Sequence, residues 1–327
     1  MDLLALLQQG KQKKASDLHL SAGITPMLRI DGDLTLLDNA APIGPNDVKE
    51  ALTPYLSPEQ LKKFDNRADI DFSFGIDSLD QRFRVNLFRQ LHGTSAVLRY
   101  IPNTIPTLSG LNAPDVFMEI TKQPNGLVLV TGPTGSGKST TLAAMINEIN
   151  HTRPDHIVTI EDPIEFVHAS NKCVVNQRQV HEHTESFSDA LRSALREDPN
   201  IILVGELRDI ETIRLALTAA ETGHLVFATL HTSSASSTIN RIIDVFPGNE
   251  KAMVRAMLSE SLNSVIAQTL IKNKDGGRVA VHEIMRCTPA IRNLIREDKV
   301  AQIYSAIQTG ASLGMMTKEQ SLLRVKN

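Results

Sequence analysis

The sequence predicts an α/β fold: a P-loop domain built on a mainly parallel sheet, preceded by a smaller α+β domain. Residues 126–141 read GLVLVTGPTGSGKSTT, an apolar run that feeds a loop of the form G-x-x-x-x-G-K-S and then a helix-forming segment. From Asn125 onward, short apolar runs alternate with longer helical patterns, as strands buried on both faces of a parallel sheet require. Over residues 1–100 the pattern changes to short stretches of period 2, which indicates half-buried antiparallel strands.

In chain order, MDLLALLQQG opens an amphipathic helix within residues 2–14. It has no cationic start and no small-residue cleavage pattern, so it does not read as a signal peptide. Alternating stretches follow at 26–31, 69–74 and 82–88, with a second helical pattern over 46–65. The segment Ile101-Pro-Asn-Thr-Ile-Pro106 carries two prolines and no periodicity, so 101–112 is expected to link a 1–100 domain to a 113–327 domain. The buried strands of the second domain are expected at Leu127–Val130, Ile157–Ile160, Ile201–Val204 and Leu225–Leu230.

Formal net charge is −3, and the one basic cluster, Lys11-Gln12-Lys13-Lys14, is short. This balance argues against a nucleic-acid partner, which would show as a basic domain or stripe. The two cysteines, Cys173 and Cys287, form no CxxC pair, so a disulfide framework and a four-cysteine zinc site are excluded and a reducing cytoplasm fits. No apolar run approaches the length that spans a bilayer. Membrane association would go through partners, without direct insertion.

The glycines at 132, 135 and 137 let successive backbone N–H groups turn inward around a phosphate chain. Gly132, Pro133, Thr134, Gly135, Ser136, Gly137, Lys138, Ser139 and Thr140 are therefore the candidate nucleotide cradle. Lys138 can reach the β- and γ-phosphates of ATP, and the Ser139 hydroxyl can ligate Mg²⁺. The helix that begins there favours an anion at its N-terminus. An ordinary glycine turn between strand and helix would explain the glycines but not the lysine and serine.

In an open α/β sheet, ligands bind outside the carboxyl ends of the strands. Glu161-Asp162-Pro163-Ile164-Glu165, Gly205-Glu206 and His231 follow the other three apolar runs, so two carboxylate clusters and an imidazole join the cradle on one rim. Phosphoryl transfer to water needs a metal, a group that orients water and positive charge on the γ-phosphate. Glu206 stands where a Walker B acid belongs and can hold Mg²⁺ through water. The motif is atypical, with Gly205 intervening and Glu replacing Asp. Glu165 is the candidate base, one short turn past a strand end, with Glu161 and Asp162 as rivals. A helix N-terminal turn would also favour such carboxylates. His231 can sense the γ-phosphate, whereas His224 is expected at the opposite strand end, touching a neighbouring element. His156, His168, His181 and His183 lack a supporting carboxylate pattern for a metal site.

Arg82, Arg84 and Asn86 share one strand face, with Phe83, Val85 and Leu87 on the other, and Arg99 follows on the next strand. A solvated face is the ordinary explanation. Arg84 and Arg99 are nonetheless candidate arginine fingers for a nucleotide in an adjacent subunit, with Arg82 less favoured. That arrangement needs a ring with heterologous contacts.

These motifs resemble the secretion-type ATPase superfamily, and most closely its type IV pilus retraction branch. The similarity runs through Ala15-Ser-Asp-Leu-His-Leu20, RFRVNLF, TGPTGSGKSTTLAAM, IEDPIEF, NQRQV, ALREDPNIILVGELRD and TAAETGHLVFATLHT. It ends in AIRNLIRE (290–297), whose Ala290, Ile291, Leu294 and Ile295 should form one apolar helical face. The resemblance implies a PAS-like N-terminal domain, a RecA-like ATPase domain and a homo-hexameric ring. It implies a cytoplasmic motor, peripheral to the inner membrane, that hydrolyses ATP to remove pilins through an inner-membrane platform protein, with a paralogous retraction ATPase as a further partner. It assigns Lys138 and Ser139 to the nucleotide, Glu165 to catalysis, Glu206 to Walker B, and His224 and His231 to the His box. The end, GMMTKEQSLLRVKN (314–327), stops earlier than the family pattern, which keeps an accessory retraction role open. A non-motor ATP-binding regulator and a type II secretion motor are the competing readings. The absent zinc cysteines and the intact AIRNLIRE argue against the latter.

Overall fold

The computed structural model describes residues 1–37, 40–101, 104–273 and 277–326. The chain divides into two compact units, Met1–Thr104 and Ile105–Asn327. This division falls inside the 101–112 stretch, of which Pro102 and Asn103 lie outside the described residues.

The first unit begins with α1 (Leu3–Gln12), whose Asp2 caps the Ala5 N–H at 3.0 Å and whose Leu3, Leu6 and Leu7 are buried. Strands β1 (Asp17–Ser21), β2 (Met27–Ile30) and β3 (Asp33–Leu36) follow, then α2 (Asp47–Leu52) and α3 (Pro58–Asp65). The single helical pattern expected over 46–65 is thus two helices. Pro54 falls in a tight turn over Thr53–Tyr55, and Ser57 starts a new helix through a reciprocal capping box with Gln60. Strands β4 (Ile70–Ile76), β5 (Gln81–Gln90) and β6 (Gly93–Ile101) complete an antiparallel sheet in the order β3-β2-β1-β6-β5-β4. Phe83, Val85 and Leu87 of β5 are fully buried on its inner face, as the period of 2 requires.

The second unit carries α4 (Val116–Thr121), β7 (Gly126–Thr131), α5 (Lys138–Thr152), β8 (His156–Glu161), β9 (Val174–Gln179), α6 (Phe187–Ala194), β10 (Ile201–Val204), α7 (Ile210–Glu221) and β11 (Leu225–Leu230). Then come α8 (Ala235–Asp244), α9 (Lys251–Ser261), β12 (Leu262–Lys272), β13 (Arg278–Arg286), α10 (Pro289–Arg296), α11 (Ile303–Thr309) and α12 (Lys318–Lys326). The sheet order is β13-β12-β7-β11-β10-β8-β9, parallel throughout except for β13 against β12. Each central strand feeds two cores. Leu127 and Leu129 of β7 pack with α6 to α11, whereas Val128 and Val130 pack with α4 and α5. Burial on both faces explains the continuous apolar runs. It also leaves the carboxyl ends of β7, β8, β10 and β11 as one polar rim.

Candidate active site

The cradle is built by glycine geometry. Gly132 adopts φ +144°, and a Cβ there would lie 2.2 Å from the Gln268 carbonyl oxygen and 2.6 Å from Ser136 Oγ. Gly137, at φ +85°, turns the chain into the first residue of α5. Lys138 is folded over this loop, its Nζ donating to the carbonyls of Gly132 at 2.9 Å and Pro133 at 3.2 Å. Burial lowers the Lys138 pKa, and the Glu206 and Glu165 carboxylates oppose that shift. The lysine and both acids therefore share one electrostatic environment. The hydroxyls of Thr131 and Ser136 are buried without a partner. Orphaned donors at the end of β7 and on the loop of positive-φ glycines that follows, beside a lysine, fit a polyphosphate. Ser139, half-buried in the first turn of α5, and Glu206 are oxygen donors of the kind Mg²⁺ takes.

Glu206 follows β10 and is held from two sides. Arg208 Nη2 approaches its Oε2 at 2.8 Å, and His231 Nε2 approaches its Oε1 at 3.3 Å. The Gly205 N–H donates to the Ile160 carbonyl at 2.7 Å, and a Cβ on Gly205 would stand 3.2 Å from that oxygen. The glycine in the atypical acidic motif thus lets the chain stay close to β8. His224 lies at the opposite end of β11, where its Nδ1 bonds the Ala219 carbonyl at 2.9 Å.

Of the rivals to Glu165, Glu161 is engaged within the loop. It accepts from Thr159 Oγ1 at 2.6 Å, from Gln177 Nε2 at 3.3 Å and from the Glu165 backbone, while burial raises its pKa. Sequence reasoning missed the device that shapes this loop, the edge strand β9. Its Gln177 donates to the Phe166 carbonyl at 2.8 Å and accepts the His168 N–H at 2.7 Å, and its Gln179 accepts the Ile164 N–H at 3.1 Å. The glutamines of NQRQV were the available signal. Of the four histidines weighed as ligands, His156 bonds Asn176 and His183 accepts the Gln179 N–H, while the buried His168 leaves its Nδ1 without a partner.

Arg84 and Arg99 are directly opposed residues on β5 and β6 of the first unit. Like charges in that position repel, and the buried Asp17 offsets this by accepting from Arg99 Nε at 2.9 Å. In AIRNLIRE, Ile291 and Ile295 are buried and Leu294 packs against the core. Ala290, expected on the same face, is exposed, because the first turn of α10 lies at the edge of the contact. Arg292 donates to the carbonyls of Ser259 and Glu260, and Arg296 pairs with Glu260, so both arginines close the end of α9.

Gln268, the one amide on the inner stretch of VIAQTLI, was also missed. It is buried under the phosphate loop, with Nε2 donating to the Ser136 carbonyl at 2.6 Å.

Residues 59–276 match the family described as Type II/IV secretion system protein. A Pseudomonas aeruginosa protein described as type IV pilus retractation ATPase PilT is 62% identical over 98% of this chain and 93% of its own length. A Neisseria gonorrhoeae twitching motility protein is 55% identical over 98% of this chain and 85% of its own. A crystal structure of the pilus retraction motor PilT with bound ADP superposes with a TM-score of 0.91 at 47% identity, covering 99% of this chain and 92% of that one.

Proposed function

The chain belongs to the Type II/IV secretion system protein family, and from that premise we propose that it is an ATP-hydrolysing motor for type IV pilus retraction. The glycine-built loop with Lys138 folded over it, close enough to Glu206 and Glu165 for their charges to act on it, carries the reading. The high identity to a named retraction ATPase over nearly the whole chain supports it. Among the described residues, no helix is long and apolar enough to cross a membrane.

The cradle from Gly132 to Thr140 binds the phosphates of ATP. Lys138 exchanges the Gly132 and Pro133 carbonyls for phosphate oxygens. Glu165 orients and deprotonates the attacking water. Ser139, and Glu206 through water, would hold Mg²⁺, which supplies positive charge to the phosphates. His231, its Nε2 3.3 Å from Glu206, relays the state of the γ-phosphate to the end of β11.

The protein works as a homo-hexamer in which Arg84 and Arg99 of one subunit complete the site of the next, supplying the charge of an arginine finger. Residues 1–100 form the domain that carries these arginines, 101–112 link it, and 113–327 form the ATPase domain. The ring acts in the cytoplasm on an inner-membrane pilus platform protein, with a paralogous retraction ATPase as a further partner.

The test is ATPase activity against protein concentration for wild type, Glu165→Gln, Arg84→Ala and an equimolar mixture of the two variants. Activity should rise with assembly, fall by roughly 10²-fold or more in each variant, and return in part on mixing. Activity independent of concentration and unchanged in Arg84→Ala would remove the shared site. ATP binding without turnover in wild type would favour a regulator.

A further inference from the structure

Gln268 lies on β12, the strand beside β7, and its amide is used at both ends. Nε2 donates to the Ser136 carbonyl at 2.6 Å. Oε1 accepts from Thr141 Oγ1 at 2.8 Å and from His282 Nε2 at 3.2 Å. The side chain therefore ties the middle of the phosphate loop to the first turn of α5. Its own position is set from behind, because His282 stands opposite it on β13 and is wedged by the edge of Phe117 at 5.2 Å. Burial holds His282 neutral, its pKa pushed down to about 4. The contact is close enough to exclude other side chains from the loop, since a Cβ on Gly137 would meet Gln268 Nε2 at 2.9 Å.

The consequence follows from the planarity of the peptide group. In a trans peptide the carbonyl and the next N–H point in opposite directions. With the Ser136 carbonyl drawn outward to Gln268, the Gly137 N–H is turned toward the hollow of the loop. We propose that Gln268 is a positioning residue for nucleotide binding, which presents the Gly137 amide to the phosphates by holding the Ser136 carbonyl. This deepens the reading of the loop as a nucleotide site and rests on it.

The experiment compares ADP affinity, by isothermal titration with Mg²⁺ present, for wild type, Gln268→Glu, Gln268→Leu and Thr141→Val, with the melting temperature of each nucleotide-free protein. Gln268→Glu keeps both acceptor contacts and loses the donor when ionised. It should bind ADP about tenfold more weakly at pH 8, the size of one lost hydrogen bond to a charged site. Protonation restores an O–H donor, so its affinity relative to wild type should recover as the pH falls to about 5.5. A role in packing alone gives no such recovery, and His282 stays neutral across that range. Gln268→Leu should be weakened at every pH, and Thr141→Val less so.

Wild-type affinity in a folded Gln268→Glu or Gln268→Leu would overturn the proposal. So would equal losses in Thr141→Val and Gln268→Leu, which would place the effect in the acceptor half. Absence of ADP binding by wild type would instead remove the nucleotide site itself.

Discussion

Replacing Gly132 by alanine tests how tightly the cradle is defined. The new methyl would lie 2.2 Å from a backbone oxygen of β12 and 2.6 Å from Ser136 Oγ. The first contact cannot be relieved by a rotamer change, because it is with main chain. The backbone angle, φ +144°, is also one that residues with a Cβ rarely adopt. Overpacking costs about 1–3 kcal/mol and a sparsely populated backbone conformation a similar amount, so the total is about 2–6 kcal/mol. If the fold absorbs it, the nucleotide-free protein should melt roughly 5–20 °C lower. If the loop opens instead, melting changes little but the stabilisation by ADP is lost. Thermal unfolding with and without ADP separates these outcomes. Gly135→Ala is the control: it shares a positive φ, +77°, but its added Cβ meets nothing within 4 Å. It should lose about 1–2 kcal/mol. Equal effects at 132 and 135, or wild-type melting with wild-type ADP response in Gly132→Ala, would refute the steric argument.

Two further outcomes concern stability. His168 and His282 are buried, with pKa values pushed down to about 4 from an ordinary 6.5, so between these values the unfolded chain binds more protons than the folded one. Their contribution is complete above pH 6.5 and is lost as the pH falls toward 4, by at most about 3 kcal/mol each; melting followed over pH 7 to 4.5 should fall less steeply in His168→Gln than in wild type. Arg292→Ala removes the guanidinium that closes the C-terminal carbonyls of α9. It should cost about 1–3 kcal/mol, read as a lower urea midpoint, with ADP affinity unchanged because α9 does not contribute to the cradle.

What was legible in the sequence follows from locality. β7, β10 and β11 announce themselves because burial on both faces demands continuous apolar runs, and the cradle because few residues other than glycine accept its backbone angles. The carboxylates at strand ends followed from the architecture of an open sheet. β9 was not legible, since an edge strand with pattern exposed–half-buried–exposed carries glutamines where an apolar run would be sought. Gln268 was hidden for another reason. Its partners Thr141 and Ser136 lie 127 and 132 residues away, so only the folded sheet brings them together. The break in the 46–65 pattern is marked in the sequence by Pro54, in the tight turn, and Pro58, the first residue of the next helix. Ala290 shows the limit of face assignment at a helix end, where periodicity persists after the contact has stopped.

The pairing of β12 with β7 slips between Leu262 and Ser264, so that Asn263 is extra. Side chains alternate along a strand, and one residue more or less inverts every later position. Gln268 points under the cradle because the ladder runs without a further slip from Ser264 to Ala267, the residue before it. The strand should therefore accept substitutions far more readily than changes in length. Deleting Asn263 would leave Ser264 and every later residue opposite the same partners on β7, whereas deleting a residue between Ser264 and Gln268 would present Thr269 where the amide belongs. Variation among functional copies of this segment should consist of exchanges, with insertions and deletions confined to the bulge at Asn263 and to the β12–β13 connection beyond Lys272.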